Sequence, residues 1–167
     1  VANEEKTKKL IQAQKRHMHI GVPGHGIVIA VPIKSVGGGK TVACLNGETD
    51  NAAYTPSLNY AHELIVAVCS QGCTDMVMNA ARAAGARGGT VLHGKGTGAN
   101  GAPKFYNITI AQEKEMILIV AAASQKTAIM QSILKKAGPD SKAGTTVFSL
   151  PTTQVAGFAL LDNQDET

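Results

Sequence analysis

The residues best suited to chemistry lie in the run Gly94-Lys95-Gly96-Thr97-Gly98-Ala99-Asn100-Gly101. Glycines at 94, 96 and 98 let successive backbone N–H groups approach an anion without side-chain obstruction, and Lys95 adds positive charge. A second segment, Pro139-Asp140-Ser141-Lys142-Ala143-Gly144, contributes Lys142 and Gly144. Lysine serves an anion as a point charge, without the bidentate fork of arginine. The candidate anion-binding residues are therefore Gly94, Lys95, Gly96, Thr97, Gly98, Lys142 and Gly144. The competing reading of the glycine run is a solvated loop whose glycines only permit a hairpin.

Other reactive residue types carry weaker patterns. Gly39-Lys40-Thr41 has the end of a phosphate-binding P-loop, but Lys34 stands where the motif needs its first glycine and no helix is expected after it. His17, His19 and His25 are metal-ligand types, yet alternate spacing separates the first two around a helix end and no carboxylate or thiolate accompanies them. A solvated helix terminus is the favoured reading. Cys69 and Cys73 flank a strand-to-helix turn without a histidine placed to activate them, so Cys69 reads as small apolar filling. No metal site is expected.

The elements that must hold these residues are legible from periodicity. Glu63 to Val68 reads as a buried strand, followed by a helix capped by Thr74, with Asp75 in its first turn, and ended by Gly85. Thr90 to Leu92 reads as a second strand opening into the glycine run, which predicts no regular element there. Phe105 to Ile110 alternates weakly, and Glu115 to Val120 reads as a central strand. Ser124 is expected to cap a second helix stopped by Gly138-Pro139, and Thr145 to Leu150 reads as the last strand. This βαββαβ order predicts an α+β, ferredoxin-like antiparallel sheet with two helices on one face.

Part of that unit occurs twice. Ala2 to Thr7 resembles Ala122 to Thr127 at an offset of 122 − 2 = 120, and Gly24 to Pro32 lines up with Ala143 to Pro151 at 143 − 24 = 119. Val36 and Gly38 match Val155 and Gly157. Residues 1–38 thus read as the helix and strand of a first repeat, 39–61 as a linker, 62–160 as the complete domain and 161–167 as a tail. Because the sequence begins at Val1 rather than Met, it is expected to start inside a longer or processed protein.

The stretch Ala80-Ala81-Arg82-Ala83-Ala84-Gly85-Ala86-Arg87-Gly88-Gly89-Thr90-Val91-Leu92-His93-Gly94-Lys95-Gly96-Thr97-Gly98, then Glu113-Lys114-Glu115, then Gly144 to Pro151, resembles the PII-like signalling proteins of the nitrogen regulatory protein P-II family. The likeness covers about residues 62 to 158, and the first copy is similar to the back half of the same unit. It implies a non-enzymatic regulator that assembles as a trimer and binds an adenine nucleotide (ATP, ADP or AMP) in clefts between neighbouring units. It also implies a T-loop, here Gly94 through Lys104, that touches a target protein, and a phosphate-contacting loop, here Gly138 through Gly144. The sequence departs from the family pattern in places. Only Lys142 and Gly144 carry over in the second loop, Pro151 to Gly157 lacks the usual basic pair, and the short T-loop has no modifiable tyrosine, Tyr106 lying too near the returning strand.

Composition bounds the alternatives. With 44% apolar and 17% charged residues the chain can bury a core. Aromatic content of 4% with no Trp, and a net charge of 16 − 12 = +4, argue against nucleic acid as partner. No apolar run reaches the roughly 20 residues of a membrane helix. The three cysteines show no paired C-x-x-C spacing, which favours a cytoplasmic setting. The leading expectation is a homo-oligomeric sensor of a small anionic effector that relays occupancy through the short T-loop. The alternative is a ligand-independent assembly module. An acyl-phosphate hydrolase on the same fold would need an arginine within Ser70 to Asp75, which has none.

Overall fold

The computed structural model describes residues 2–22, 24–33, 58–96, 104–105, 108–109 and 112–157. In chain order the elements are α1 (Glu4–His17), β1 (Val28–Ala30), β2 (Asn59–Ser70), α2 (Thr74–Arg82), β3 (Thr90–Gly96), β4 (Lys104–Phe105), β5 (Ile108–Thr109), β6 (Gln112–Ala122), α3 (Ala123–Ala137), β7 (Thr146–Thr152) and β8 (Gln154–Ala156). They fall into two compact units, Tyr60–Leu150 and Val1–Asn59 with Pro151–Thr167.

The first unit is built on a four-stranded sheet of order β3-β6-β2-β7. β6 runs antiparallel to both β2 and β3, with Ile65 opposite Ile119 and Val91 opposite Ile117. Successive strand residues face opposite sides. Ile65, Ala67 and Cys69 of β2 and Ile117, Ile119 and Ala121 of β6 share one face. They pack there against Val77, Met78, Ala80 and Ala81 of α2 and Ile129, Ile133 and Ala137 of α3. Each fully buried branched side chain contributes about 1.5–3 kcal/mol relative to exposure, so this layer accounts for the unit's cohesion. The helices touch closely enough for Ser132 Oγ to donate to the Ala80 carbonyl at 2.7 Å. The strand order and the helical layer make this the expected ferredoxin-like α+β fold.

Several boundaries differ from expectation. β2 begins at Asn59, inside the predicted linker, and β6 begins at Gln112. Because β6 extends that far, it offers pairing partners to Gly94, Lys95 and Gly96 opposite Lys114, Glu113 and Gln112. The front of the glycine run is therefore strand rather than loop: a ladder of backbone hydrogen bonds outweighs the low strand propensity of glycine. Gly96 serves that pairing sterically, since a Cβ there would lie 3.0 Å from Lys114 Cγ. The weakly alternating segment after the loop forms the small antiparallel pair β4–β5. Thr74 is the first residue of α2 rather than its cap, and α3 starts at Ala123 with no side-chain cap from Ser124. Gly85 does end α2's trajectory, with φ +101 and the Ala86 N–H returning to the Ala81 carbonyl.

In the second unit α1 is capped by the Asn3 side chain, which accepts from the Lys6 N–H at 2.9 Å. β1 pairs antiparallel with β8, Ile29 lying opposite Val155. Ile11, Ile20 and Ala156 form a small core with Val28 and Ala30. A Cβ on Gly157, at φ +86, would fall on the Gly26 carbonyl oxygen, so this pairing requires glycine. The α1–β1 helix and strand fall at the sequence offset of α3 and β7. Residues 34–57, most of the predicted linker, lie outside the described residues.

Candidate functional site

One end of the four-stranded sheet gathers most of the predicted site. There β3 ends in Gly94-Lys95-Gly96, β6 begins with Gln112-Glu113-Lys114, and β2 ends at Ser70. Register joins them across the sheet: Gly94 opposes Lys114, which opposes Ser70. The Ser70 N–H in turn donates to the Ala143 carbonyl at 2.9 Å, fixing the 138–144 loop to the same end. That loop is braced internally, with Ser141 Oγ donating to the Gly138 carbonyl at 2.8 Å and accepting from the Ala143 N–H at 3.2 Å. Gly144 adopts φ +53, and Lys142 is exposed. Thr97 and Gly98 lie outside the described residues.

The two sets share an end but not an edge. β3 and β7 are the outer strands, and the 138–144 loop leads into β7. Stepping from Gly94 through Lys114 and Ser70 to Ala143 crosses three strand-like spacings, about 14 Å at ~4.8 Å each.

Alternation sorts the side chains at this end onto two faces. On the face away from the helices, Leu92, Gly94 and Gly96 of β3, Met116 and Lys114 of β6 and Val68 of β2 line a groove of about 320 Å³. Its floor is apolar, and Leu92 and Met116 are exposed. The Lys114 ammonium stands at its rim, 3.4 Å from Ser70 Oγ. A Cβ at Gly94 would meet nothing within 4 Å, so the notch over this residue is open space. The sequence reading missed Lys114, Leu92 and Met116 as site residues. Their signal was present in the paired alternations Leu92-x-Gly94-x-Gly96 and Lys114-x-Met116, which become one surface only once the register is known.

On the helical face lies the electrostatic anchor of the site. Glu115 is buried, and its carboxylate accepts from the Gly72 N–H at 3.0 Å, the Thr74 N–H at 3.1 Å and Thr74 Oγ1 at 2.6 Å. The Thr74 hydroxyl and the Gly72 N–H, with lesser help from the Thr74 N–H and nearby His93, hold its pKa below the ordinary carboxylate value against the opposing effect of burial. His93 Nδ1 is 4.0 Å away on the neighbouring strand. Lys95 points to this face as well, 3.6 Å from Glu113. Lys95 is thus already paired with a carboxylate, an arrangement the glycine-lysine pattern alone did not reveal.

The remaining reactive residues take structural positions. Burial raises the Cys69 thiol to about 11, aided by the neighbouring Glu115 charge. Cys73 is buried at the start of α2. The rings of His19 and His25 meet edge-on at 6.4 Å, and among the described residues no three His, Cys, Asp or Glu side chains converge on a metal position. No described helix is long and apolar enough to cross a membrane.

A sheet of this order, with its glycine-bearing edge strand and a braced loop before the last strand, agrees with comparison to known families. The model of the family described as nitrogen regulatory protein P-II matches residues 62–158, more than half of the sequence, and the chain belongs to that family. The crystal structure of Arabidopsis thaliana PII bound to citrate is similar at 21% identity and a TM-score of 0.44, over 55% of this chain and 77% of that one. No curated protein matches the sequence.

Proposed function

We propose that the protein is a non-enzymatic PII-like regulator that senses a small anionic effector, an adenine nucleotide, in a cleft between two copies of the chain. The observation that carries this reading is the placement of the two candidate segments. Gly94-Lys95-Gly96 ends one outer strand, while the loop that carries Lys142 leads into the opposite outer strand at the same end of the sheet, with Ala143 about 14 Å from Gly94 at ~4.8 Å per strand spacing. A single phosphate group cannot bridge that span. Setting the β3 edge of one copy beside the β7 edge of the next brings the segments together, so the site is completed by assembly. Occupancy at this end of the sheet would change what a target protein meets there.

Calorimetric titration of the full chain with ATP, ADP and AMP, alongside its mass by light scattering, tests this function. Saturable binding to a trimer is expected. A monomer that binds none of them at millimolar concentration contradicts it.

The exposure of Leu92, Met116 and Phe148 favours a second reading, an assembly module that oligomerises without ligand. That reading predicts the same mass but no nucleotide heat. We also infer that residues 1–38 derive from the back half of a first PII-like copy, because α1 and β1 repeat the spacing of α3 and β7.

A further inference from the structure

We propose that His19 and His25, in the turns that join α1 to β1, form a binding site for a soft monovalent metal ion, Cu(I). The site belongs to the second compact unit and does not depend on the nucleotide reading above.

The segment that carries the two imidazoles is held in one shape. Ile20 is buried and packs with Ile11 and Ala156, which anchors the segment to the small core. The Val22 N–H donates to the His19 carbonyl at 3.1 Å and the His25 N–H donates to the Val22 carbonyl at 3.1 Å, closing two successive turns. Among the described residues His19 is the one non-glycine with a left-handed backbone, at φ +51. That conformation is costly for a residue with a Cβ and persists where its surroundings impose it. The outcome is that the exposed rings of His19 and His25 stand 6.4 Å apart, centre to centre, with their planes at 70°.

Both the distance and the ring nitrogens suit an ion. With N–metal bonds of about 2.0–2.1 Å, two imidazoles on one ion have ring centres up to roughly 6 Å apart, the upper end being the nearly linear arrangement. Rotation of the two exposed rings therefore brings them to this geometry. His25 Nδ1 lies 3.3 Å from the Met18 carbonyl oxygen. A carbonyl only accepts, so Nδ1 carries the proton and Nε2 keeps its lone pair for the metal. A backbone carbonyl that takes the other ring N–H is a common outer partner of a metal-bound histidine.

The donors select the metal. Zn(II) takes four ligands, and among the described residues no third His, Cys, Asp or Glu joins the pair. Two imidazoles in a nearly linear arrangement suit Cu(I), and the exposed thioether of Met18, next to His19 in the chain, is a donor of matching softness. The repeat supplies a separate observation: at the offset 138 − 19 = 144 − 25 = 142 − 23 = 119, His19 and His25 fall at Gly138 and Gly144, and Pro23 falls at Lys142. Residues 19–25 thus carry metal donors where the corresponding loop carries glycines, and lack its lysine.

The test is anaerobic competition for Cu(I) against a chromogenic chelator, with ascorbate present, on the untagged full chain carrying Cys44→Ser to remove a competing thiolate. One Cu(I) per chain is expected, not displaced by an equal concentration of Zn(II). His25→Ala and His19→Asn, the latter tolerating a left-handed backbone, should each weaken Cu(I) at least ~10-fold with the circular dichroism spectrum unchanged, and His17→Ala should not. In imidazole NMR spectra Cu(I) should shift the signals of His19 and His25 and leave those of His62 and His93. Unchanged Cu(I) affinity in both folded variants, or shifts absent from the His19 and His25 rings, overturns the site. Displacement by Zn(II) overturns the two-donor geometry. Absence of Cu(I) binding overturns the proposal outright and leaves nucleotide sensing untouched.

Discussion

Glu115 caps a helix to which it does not belong: from the middle of the sheet its carboxylate accepts the N–H and the hydroxyl of Thr74, the first residue of α2. The helix has no cap of its own, since Cys73 makes no side-chain cap bond, so its positive end is satisfied across the fold. Because Glu115 pairs with His93 in register and Gly94 follows directly, the root of the candidate effector site is tied to the same carboxylate. Glu115→Gln keeps the shape but removes the charge and one acceptor. It is expected to cost about 1–3 kcal/mol in urea unfolding, with Thr74→Val costing less.

The same carboxylate predicts an acid limb of stability. Glu115 and Glu63 are both held below their ordinary values, Glu63 chiefly by its hydrogen bond with Lys126 at 2.8 Å. A depressed folded pKa contributes stability that is present above the unfolded value, about 4.3, and is lost as pH falls through the folded value. Urea midpoints should therefore hold steady above about pH 5.5 and decline below about pH 4.5. Glu115→Gln should make that decline shallower, and a parallel decline in the variant would show that other groups cause it.

Two glycines of the β3 region should respond in opposite ways to one methyl group. A Cβ at Gly89 would lie 3.0 Å from Met78 Sδ, 3.1 Å from Ile117 Cγ2 and 3.2 Å from the Leu118 carbonyl oxygen. Gly89→Ala forces the start of β3 away from the core and should cost about 1–3 kcal/mol. Gly94→Ala meets open space and should leave thermal unfolding unchanged or slightly raised.

Cys69 should be chemically silent in the folded protein. It is buried, and its thiol is raised to about 11, so at pH 8 only about one molecule in a thousand carries the thiolate. Mass spectrometry after treatment with a maleimide is expected to find Cys69 unmodified until denaturant is added. Rapid native labelling of that residue would contradict its place in the core.

The sequence made the layered fold legible because its strongest signals are periodic and local. The apolar runs around Ile65 and Ile119 are long enough to declare buried strands, and Gly85 and Gly138 mark where the helices stop. The site was legible in part. Gly94, Lys95, Gly96, Lys142 and Gly144 were identifiable as anion-binding types, but their opposite-edge placement depends on strand order, which no local pattern encodes. Thr74 and Ser124 look like helix caps because their hydroxyls suit that role. Thr74 instead donates its hydroxyl to Glu115, a partner 41 residues away in sequence. The ion pairing of Lys95 is hidden for the same reason, since Glu113 reaches it only through the β3–β6 register.

The most direct measurement of the central claim is complementation between two disabled chains. Gly94→Val and Lys142→Ala proteins are each expected to bind AMP poorly. Co-expressed with different affinity tags and purified through both, they should recover sites, because a cleft that takes its β3 edge from the Lys142→Ala chain and its β7 edge from the Gly94→Val chain contains neither substitution. A trimer that passes both tags holds both kinds of chain and so has about a third of its clefts intact, and calorimetry should return that stoichiometry with wild-type affinity. Mixed oligomers that bind no better than either parent would place both segments in one chain's own site and contradict the account.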